Sequence, residues 1–337
     1  MQLQEHVSLK PYNTFGIDVP ARYFLEVGSI AALKEALGRK DLPTPFVLSG
    51  GSNILLTAPI DALVLYINLR GREVIRETDE DVTIRAMAGE NWHDLVLWSL
   101  EQGYGGIENL ALIPGKSGTA PIQNIGAYGV ELKDVFEACT AVEITTGQER
   151  RFDWEQCRFG YRDSFFKRKG KGKYIIVSLE LRLTKKNHRR STSYGAIETE
   201  LSERGISDPT PSDIAAAVID IRRRKLPDPS ELGNSGSFFK NPVIPGSRFE
   251  ELRERFAQLP GYPQGDGTIK VPAGWLIEQC GLKGYRSGDA GVHEKQALVL
   301  VNYGGASGQQ ILQLARHIQE KVQEAFSIEL QPEVNII

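Results

Sequence analysis

The sequence predicts an α+β fold, and three observations lead to this prediction. Short strand patterns and amphipathic helix patterns alternate without the regular strand–helix–strand repeat of a doubly wound sheet. Glycine is enriched, with 34 residues in a chain of 337, and many of these glycines fall in two clusters. The rest of the composition is ordinary for a globular protein, with 41% hydrophobic and 25% charged residues. This length is enough for two or three domains with their own cores.

Strands are predicted where short apolar or alternating segments are bounded by turn residues. Residues 174–183 alternate apolar and polar side chains, which predicts a strand exposed on one face. The first glycine cluster, residues 49–53, lies between two apolar segments, and a strand, a tight turn and another strand fit it better than a strand and a helix. The shorter predicted strands are residues 46–48, 54–56, 64–67 and 82–86.

Helices are predicted from capping residues and from the spacing of apolar side chains. Asn91 can cap a helix that runs to Leu100, because an asparagine side chain accepts a hydrogen bond from the first turn. A second helix begins at Ser212 and ends before Pro227, and a third begins near Ser307 with apolar residues three or four positions apart.

Charge and composition favour a small molecule as the partner. The formal net charge is -3 and the sequence pI is near 6.1, which gives no reason to expect binding to nucleic acid. The three cysteines and five histidines are scattered without metal-ligand spacing, so we expect no metal. The N-terminus lacks a signal-peptide pattern, and no apolar run approaches the roughly 20 residues that cross a bilayer. We therefore expect a cytoplasmic monomer that binds neither nucleic acid nor membrane.

The two glycine clusters, residues 49–53 and 114–129, favour a dinucleotide ligand. Neither matches the GxGxxG fingerprint, and a P-loop is excluded because Leu110 stands where its first glycine is required. Small residues let successive backbone N–H groups converge on an anion, although a tight turn without a ligand is the alternative for one such loop. The second cluster also contains apolar and amide groups that suit a flat heterocycle. Two such loops suggest a dinucleotide held at two points.

The chain resembles the UDP-N-acetylenolpyruvoylglucosamine reductase family along essentially its whole length. Residues 192–195, with Tyr194, resemble the tyrosine loop of the longer subtype of this family. The other segments that carry the resemblance are residues 13–16, 49–53, 107–115, 121–129, 160–167, 225–229, 236–242, 273–277 and 332–334.

This resemblance implies a vanillyl-alcohol-oxidase-like FAD-binding fold of two α+β subdomains, with a third α+β domain for the substrate. We place the subdomains at residues 1–67 and 68–211 and the substrate domain at 212–327, with a strand at about 328–337 returning to the first subdomain. The implied cofactors are FAD and NADPH. The implied substrate is UDP-N-acetylglucosamine enolpyruvate, which the family reduces in peptidoglycan synthesis.

The residues expected to bind FAD lie in the two clusters. The family usually has three glycines in the first loop, and Ser49 replaces the first of them. In the second loop, Lys116, Ser117 and Thr119 stand where smaller or apolar residues are common. The candidate cofactor-binding residues are Ser49, Gly50, Gly51, Ser52, Asn53, Pro114, Gly115, Ser117, Gly118, Gln123, Asn124, Gly126, Ala127 and Tyr128.

The resemblance implies three catalytic residues. Ser237 would donate the proton, and Lys225 or Lys240 could lower the cost of using so weak an acid. Arg162 would hold the substrate carboxylate with two parallel N–H donors, and Glu333, when protonated, would hydrogen-bond the developing enol. From the residues alone, the more common roles are a turn hydroxyl for Ser237, a surface salt bridge for Arg162 and a solvated carboxylate for Glu333.

Tyr194 is expected to cover the UDP-sugar, and Lys225, Asn241 and Gln296 are the further substrate-binding candidates. A different flavin oxidoreductase on the same fold, such as an oxidase, is one alternative function, because a fold hosts many chemistries. A flavin- or nucleotide-binding module without catalysis is the other. The segments around Arg162, Ser237 and Glu333 argue against both.

Overall fold

The computed structural model describes residues 2–337, which form two compact units. The boundary between the units falls inside the first glycine cluster, between Gly50 and Gly51. The predicted division into three domains stays a prediction. The first unit holds the segment up to Val7 together with Ala21–Gly50 and Ile60–Arg224, and the second holds Ser8–Pro20, Gly51–Pro59 and Lys225–Ile337.

The α-helices vary widely in length. The long helix Gly308–Phe326 begins as predicted, because the Ser307 hydroxyl accepts a hydrogen bond from the Gln310 amide. The helix Trp92–Glu101 likewise begins after Asn91, whose side chain accepts from the Asp94 amide. The other helices are Ile30–Gly38, Trp154–Cys157, Gly195–Glu203, Pro211–Lys225, Gly246–Arg255 and Ala273–Gln279.

The first unit contains two main sheets. The smaller has the strand order Gln4–Ser8, Pro20–Val27, Ile60–Ile67 and Pro45–Leu48, with the last three strands parallel. The larger is antiparallel, in the order Glu149–Asp153, Phe136–Glu143, Tyr174–Thr184, Asp81–Met87 and Arg72–Glu77. A hairpin of Gly126–Ala127 and Val130–Glu131 closes the second glycine cluster.

The apolar core of the larger sheet also receives helices from later in the chain. Ile84 and Leu181 of the sheet share one buried cluster with Ile197, Ile214 and Val218. The helices Gly195–Glu203 and Pro211–Lys225 are therefore held against the same unit as the glycine-rich loop.

The strand Tyr174–Thr184 corrects one prediction. The sequence pattern predicts one exposed face, but the polar residues Ser178 and Glu180 are buried as well. The strand lies in the middle of the five-stranded sheet, and Glu180 accepts hydrogen bonds from Arg85 on the adjacent strand and from Arg151 on the edge strand Glu149–Asp153. These partners allow a polar side chain to remain inside.

The second unit contains smaller sheets. The strand Asn335–Ile336 pairs in parallel with Ile54–Leu55. Val243–Pro245, Thr268–Lys270 and Tyr262–Pro263 form a three-stranded sheet. The remaining sheet has the antiparallel order Gly233–Ser237, Val299–Asn302, Ala290–Val292 and Arg286–Ser287.

Mixed helices and sheets of this kind agree with the predicted α+β class, and the strands predicted before residue 90 are present with small shifts at their ends. The helices that were not predicted are Ile30–Gly38, Trp154–Cys157, Gly195–Glu203, Gly246–Arg255 and Ala273–Gln279. Among the helices of residues 2–337, none has the length and apolar character needed to cross a membrane.

Candidate active site

The two glycine clusters approach each other within the first unit. A Cβ atom added to Gly50 would lie 3.0 Å from the Cα of Gly115, so this approach leaves very little room for a side chain. The neighbouring Ser49 follows the strand Pro45–Leu48, and its hydroxyl oxygen is buried without a hydrogen-bond partner in residues 2–337. A buried hydroxyl of this kind is a ready donor to a ligand.

The remainder of the first cluster belongs to the second unit. Gly51 has a positive φ of 59°, and a Cβ atom there would lie 2.0 Å from the carbonyl oxygen of Tyr12. Ser52 follows it and is half-buried. The Asn53 side chain donates to the Glu333 carbonyl over 3.3 Å, which joins this part of the cluster to a predicted catalytic residue.

The start of the second cluster is fixed to the strand Asp81–Met87. The Ser117 hydroxyl donates to the Met87 carbonyl over 2.6 Å. A Cβ atom on Gly118 would lie 2.4 Å from the Cβ of Ala88, so close packing explains this glycine. Gly115 has a positive φ of 120° and follows Pro114. Ser117 and Gly118 therefore have a structural role in the loop, and their contribution to a cofactor site stays a prediction.

Asn124 connects the second cluster to the turn that carries Arg162. Its amide nitrogen donates to a Glu131 carboxylate oxygen and to the Gly160 carbonyl, both over 3.1 Å. Its side-chain oxygen accepts from the Lys133 amide over 3.0 Å. Every polar atom of this buried side chain has a protein partner, so its local function is to shape the loop.

Arg162 lies beside the end of the second cluster. Its backbone has a positive φ of 53°, and its carbonyl accepts a hydrogen bond from Lys167 over 3.1 Å. A Cβ atom on Gly126 would lie 3.4 Å from one terminal guanidinium nitrogen of Arg162. Gln123 and Ala127, in the same cluster, are half-buried. The structure therefore brings a predicted catalytic residue next to predicted cofactor-binding residues.

Tyr128, Tyr194 and Arg222 form a group in the same unit. The two tyrosine rings meet edge to face, with centroids 5.3 Å apart. The guanidinium of Arg222 lies close enough to the Tyr128 hydroxyl to influence its pKa, while the Nε of Arg222 is buried without a hydrogen-bond partner in residues 2–337. Sequence analysis did not single out Arg222, because its run of basic residues at a helix end does not reveal which side chain faces inward.

Positive charge accumulates around this group. Burial lowers the pKa of Arg222, and repulsion from Arg162 lowers it further, although Tyr128 opposes both. Burial raises the pKa of Tyr128, with the nearby Arg222 opposing the change. No carboxylate is among the described groups that act on Arg222. Two guanidinium groups with this environment will attract an anion.

In the second unit, Ser237 and Glu333 lie on adjacent segments. Ser237 is exposed and ends a strand that pairs with Val299. The next residue, Phe238, is fully buried, and its carbonyl accepts from the Glu333 amide over 2.8 Å. The buried ring of Phe239 packs edge to face on Phe238 and anchors this segment.

Asn241 and Gln296 each lie beside the first turn of the helix Ala273–Gln279. The Asn241 side-chain oxygen accepts from the Ala273 amide over 3.0 Å. The Gln296 side-chain oxygen lies 3.1 Å from the position that a Cβ atom would occupy on Gly274. Lys225 is exposed at the end of its helix.

Lys240 donates its backbone amide to the Gln331 carbonyl over 2.9 Å and is half-buried. A polarising action of Lys225 or Lys240 on Ser237 stays a prediction. The same holds for the roles of all the predicted site residues.

The arrangement in the first unit suits a flavin dinucleotide. The glycine clusters meet closely, and within residues 2–337 neither the Ser49 hydroxyl nor the buried side-chain oxygen of Asn109 has a hydrogen-bond partner. The Asn109 amide nitrogen donates to the Tyr128 carbonyl over 3.1 Å. These features, on an α+β scaffold, fit a protein that binds a flavin dinucleotide. A family model described as "FAD binding domain" matches residues 22–153.

The particular family follows from full-length comparisons. A second model, "UDP-N-acetylenolpyruvoylglucosamine reductase, C-terminal domain", matches residues 228–337. A Flavobacterium johnsoniae protein named UDP-N-acetylenolpyruvoylglucosamine reductase is 52% identical, with both chains covered completely. A Pseudomonas putida protein of the same name is 53% identical over 100% of this chain and 99% of its own. The chain belongs to the UDP-N-acetylenolpyruvoylglucosamine reductase family.

A solved structure supports the fold assignment. The reductase of this family from Thermus caldophilus aligns with a TM-score of 0.70 at 25% identity, over 100% of this chain and 99% of the other. The predicted FAD-binding fold is therefore confirmed.

Proposed function

We propose that this protein uses NADPH and FAD to reduce UDP-N-acetylglucosamine enolpyruvate to UDP-N-acetylmuramate, a step of peptidoglycan synthesis. The observation that carries this proposal is membership in the reductase family over the full length of the chain. The paired glycine clusters and the cationic group around Arg162 and Arg222 support it, because the reaction needs a dinucleotide and an anionic substrate.

The residues that would hold FAD are those of the two clusters. Ser49 and the backbone around Gly50 and Gly115 are suited to a pyrophosphate, and residues 123–128 are suited to the ring system. When bound there, FAD would supply the hydride chemistry that connects NADPH with the methylene carbon of the enolpyruvyl group. The protein contributes orientation, charge stabilisation and a proton.

Arg162 would bind the carboxylate of the enolpyruvyl group. A guanidinium can offer two parallel N–H donors, and its attraction increases as negative charge spreads into the carboxylate during the reaction. The Arg162 backbone has a positive φ, and its carbonyl accepts a hydrogen bond from Lys167. These two features would hold in place the backbone from which the guanidinium side chain extends.

Ser237 and Glu333 would complete the chemistry on the substrate carbon next to the carboxylate. The exposed hydroxyl of Ser237 would donate the proton, and Glu333 would hydrogen-bond the enol oxygen. Their backbones are joined through Phe238, so the two groups would be presented in a constant relation to each other.

Binding of the UDP portion is assigned to polar and aromatic side chains. The exposed ring of Tyr194 would cover the UDP-sugar, and Lys225, Asn241 and Gln296 would contact its polar groups. We further propose that the reaction takes place in the cytoplasm and that the protein is a monomer, which sedimentation of the purified chain will test.

The central experiment is an anaerobic absorption spectrum of the purified protein. Flavin bands should bleach with NADPH and return when UDP-N-acetylglucosamine enolpyruvate is added. Bleaching without return would leave a flavin reductase with another substrate. The absence of flavin bands after reconstitution with FAD would contradict the proposal at its first step.

A further inference from the structure

Lys116 is a buried cation inside the second glycine cluster. Its residue is 8% exposed, and its ammonium donates to the Ile67 carbonyl over 3.0 Å. The same ammonium lies 4.0 Å from the centre of the Tyr66 ring, within the range of a cation–π interaction. The side chain therefore crosses from the loop to the end of the strand Ile60–Ile67.

The charges around Lys116 do not neutralise it. Asn68 accepts from Lys116 over 3.5 Å and from Arg70 over 2.9 Å through the same side-chain oxygen. The Asn68 amide nitrogen in turn donates to Glu26 over 2.6 Å. Among the described residues, Glu26 is the only carboxylate that affects the pKa of Lys116, and it does so without forming an ion pair with it. Burial lowers the pKa of Lys116 to about 8, with Arg70 adding to this effect and Glu26 opposing it.

The backbone of Lys116 lies where the two clusters meet. Its amide nitrogen is 3.3 Å from the position that a Cβ atom would occupy on Gly50, next to the partnerless hydroxyl of Ser49. A lysine stem keeps the ammonium within about 7 Å of its own backbone, inside the Debye length of about 10 Å at 0.1 M salt. An anion held between the clusters would therefore be attracted by this charge.

We propose that Lys116 supplies the positive charge that stabilises the FAD pyrophosphate at the meeting point of the two glycine clusters. The assignment rests on FAD being the cofactor, as proposed above. A buried charge without an ion-pair partner is costly, and an incoming anion offsets that cost.

The proposal predicts a pH dependence of FAD binding. A bound anion favours the protonated amine, so it raises the pKa of Lys116 above the value of about 8 in the free protein. Affinity for FAD should be constant below pH 7 and should fall as the pH rises through 8 and beyond. Near pH 8, the full-length protein should take up part of a proton for each FAD bound.

Calorimetry of FAD binding to the full chain, in two buffers with different ionisation enthalpies, measures this uptake directly at pH 8. Lys116→Met should abolish the proton uptake that Lys116 causes at pH 8, and it should weaken FAD affinity roughly tenfold at pH 7. Lys116→Arg should keep most of the affinity and remove its dependence on pH between 7 and 9.5, because arginine stays charged. Lys171→Met, at an exposed position, is the matched control and should behave as the unmodified protein does.

The unmodified chain is sufficient to overturn the proposal, even if a variant fails to fold. Binding of FAD without proton uptake at pH 8 would refute the role of Lys116 while leaving the cofactor assignment intact. Equal uptake in Lys116→Met and in the unmodified chain would refute it as well. A complete absence of FAD binding would instead contradict the proposed function.

Discussion

The Glu333 amide donates a hydrogen bond to the Phe238 carbonyl over 2.8 Å, and this bond links the two predicted catalytic segments of the second unit. Because the link is made by backbone atoms, replacing the side chain of Ser237 or Glu333 leaves it in place. A loss of activity after substitution of either side chain should therefore reflect its part in the reaction, because the other segment stays in place.

Replacing Ser237 with alanine should reduce turnover by about 10²- to 10⁴-fold, the usual contribution of a positioned proton donor. Reduction of the flavin by NADPH should be unaffected, since it needs no proton from this hydroxyl. Stopped-flow absorbance under anaerobic conditions separates the two half-reactions. Ser235→Ala, on the same strand, is the control and should retain both. Equal losses in both half-reactions of the Ser237 variant would identify a structural serine.

Replacing Arg222 with lysine should raise the KM for the UDP-linked substrate about tenfold or more. Lysine retains the charge but loses the planar guanidinium fork, which lies near the Tyr128 hydroxyl and would face the anion. Steady-state kinetics with saturating NADPH measures the change. Arg223→Lys, at the adjacent exposed position, is the matched control. The same KM in both variants would show that Arg222 has no part in substrate binding.

Replacing Glu180 with glutamine should lower the free energy of unfolding at pH 7 by about 2 kcal/mol, because the carboxylate is buried between Arg85 and Arg151. Burial alone would raise the pKa of Glu180, but the bonds and charges of Arg151 and Arg85 outweigh it, and the net shift is downward.

A lowered pKa in the folded state means that Glu180 contributes stability above its ordinary value of 4.5, and that this contribution is lost as the pH falls through the folded-state pKa. Urea unfolding at a series of pH values should therefore show the difference between Glu180→Gln and the unmodified protein shrinking below pH 4.5. Glu101→Gln, which is exposed, should show little difference at any pH. If the difference in the free energy of unfolding between Glu180→Gln and the unmodified protein did not change with pH, the ion pairs of Glu180 would not be its cause.

Replacing Asn335 with alanine should accelerate FAD release by about two- to tenfold. The Asn335 side chain donates to the Asn53 carbonyl over 3.0 Å, and its loss removes one of the bonds that hold the first glycine cluster. Recovery of flavin fluorescence after dilution of the holoprotein gives the rate. Glu329→Ala, which is exposed, serves as control. An unchanged rate in Asn335→Ala would mean that this bond does not restrain the loop.

Elements specified by local chemistry were predictable from the sequence. Asn91 and Ser307 cap their helices because the acceptor and the donor lie three residues apart, which a short segment of sequence reveals. The glycine clusters were also evident, since their backbones need residues without a Cβ atom. The same kind of reasoning failed for Glu180, whose burial depends on arginines contributed by two other strands.

The residues of the candidate site that were not predicted also depend on contacts with parts of the chain that are distant in sequence. Arg222 is one of three consecutive arginines, and only the packing of its helix within the first unit decides which one lies near Tyr128. Lys116 was noticed as a departure from the family, but the contacts with Tyr66 and Ile67 that bury it arise from a strand about fifty positions earlier.

The pairing of Ile54–Leu55 with Asn335–Ile336 has a consequence for biosynthesis. Asn53 and Asn335 are 282 positions apart. The hydrogen bond from Asn335 therefore cannot hold the first glycine cluster until residue 335 has left the ribosome. We therefore expect nascent chains stalled before this point to retain flavin poorly, and loading with cofactor to follow translation of the late strand.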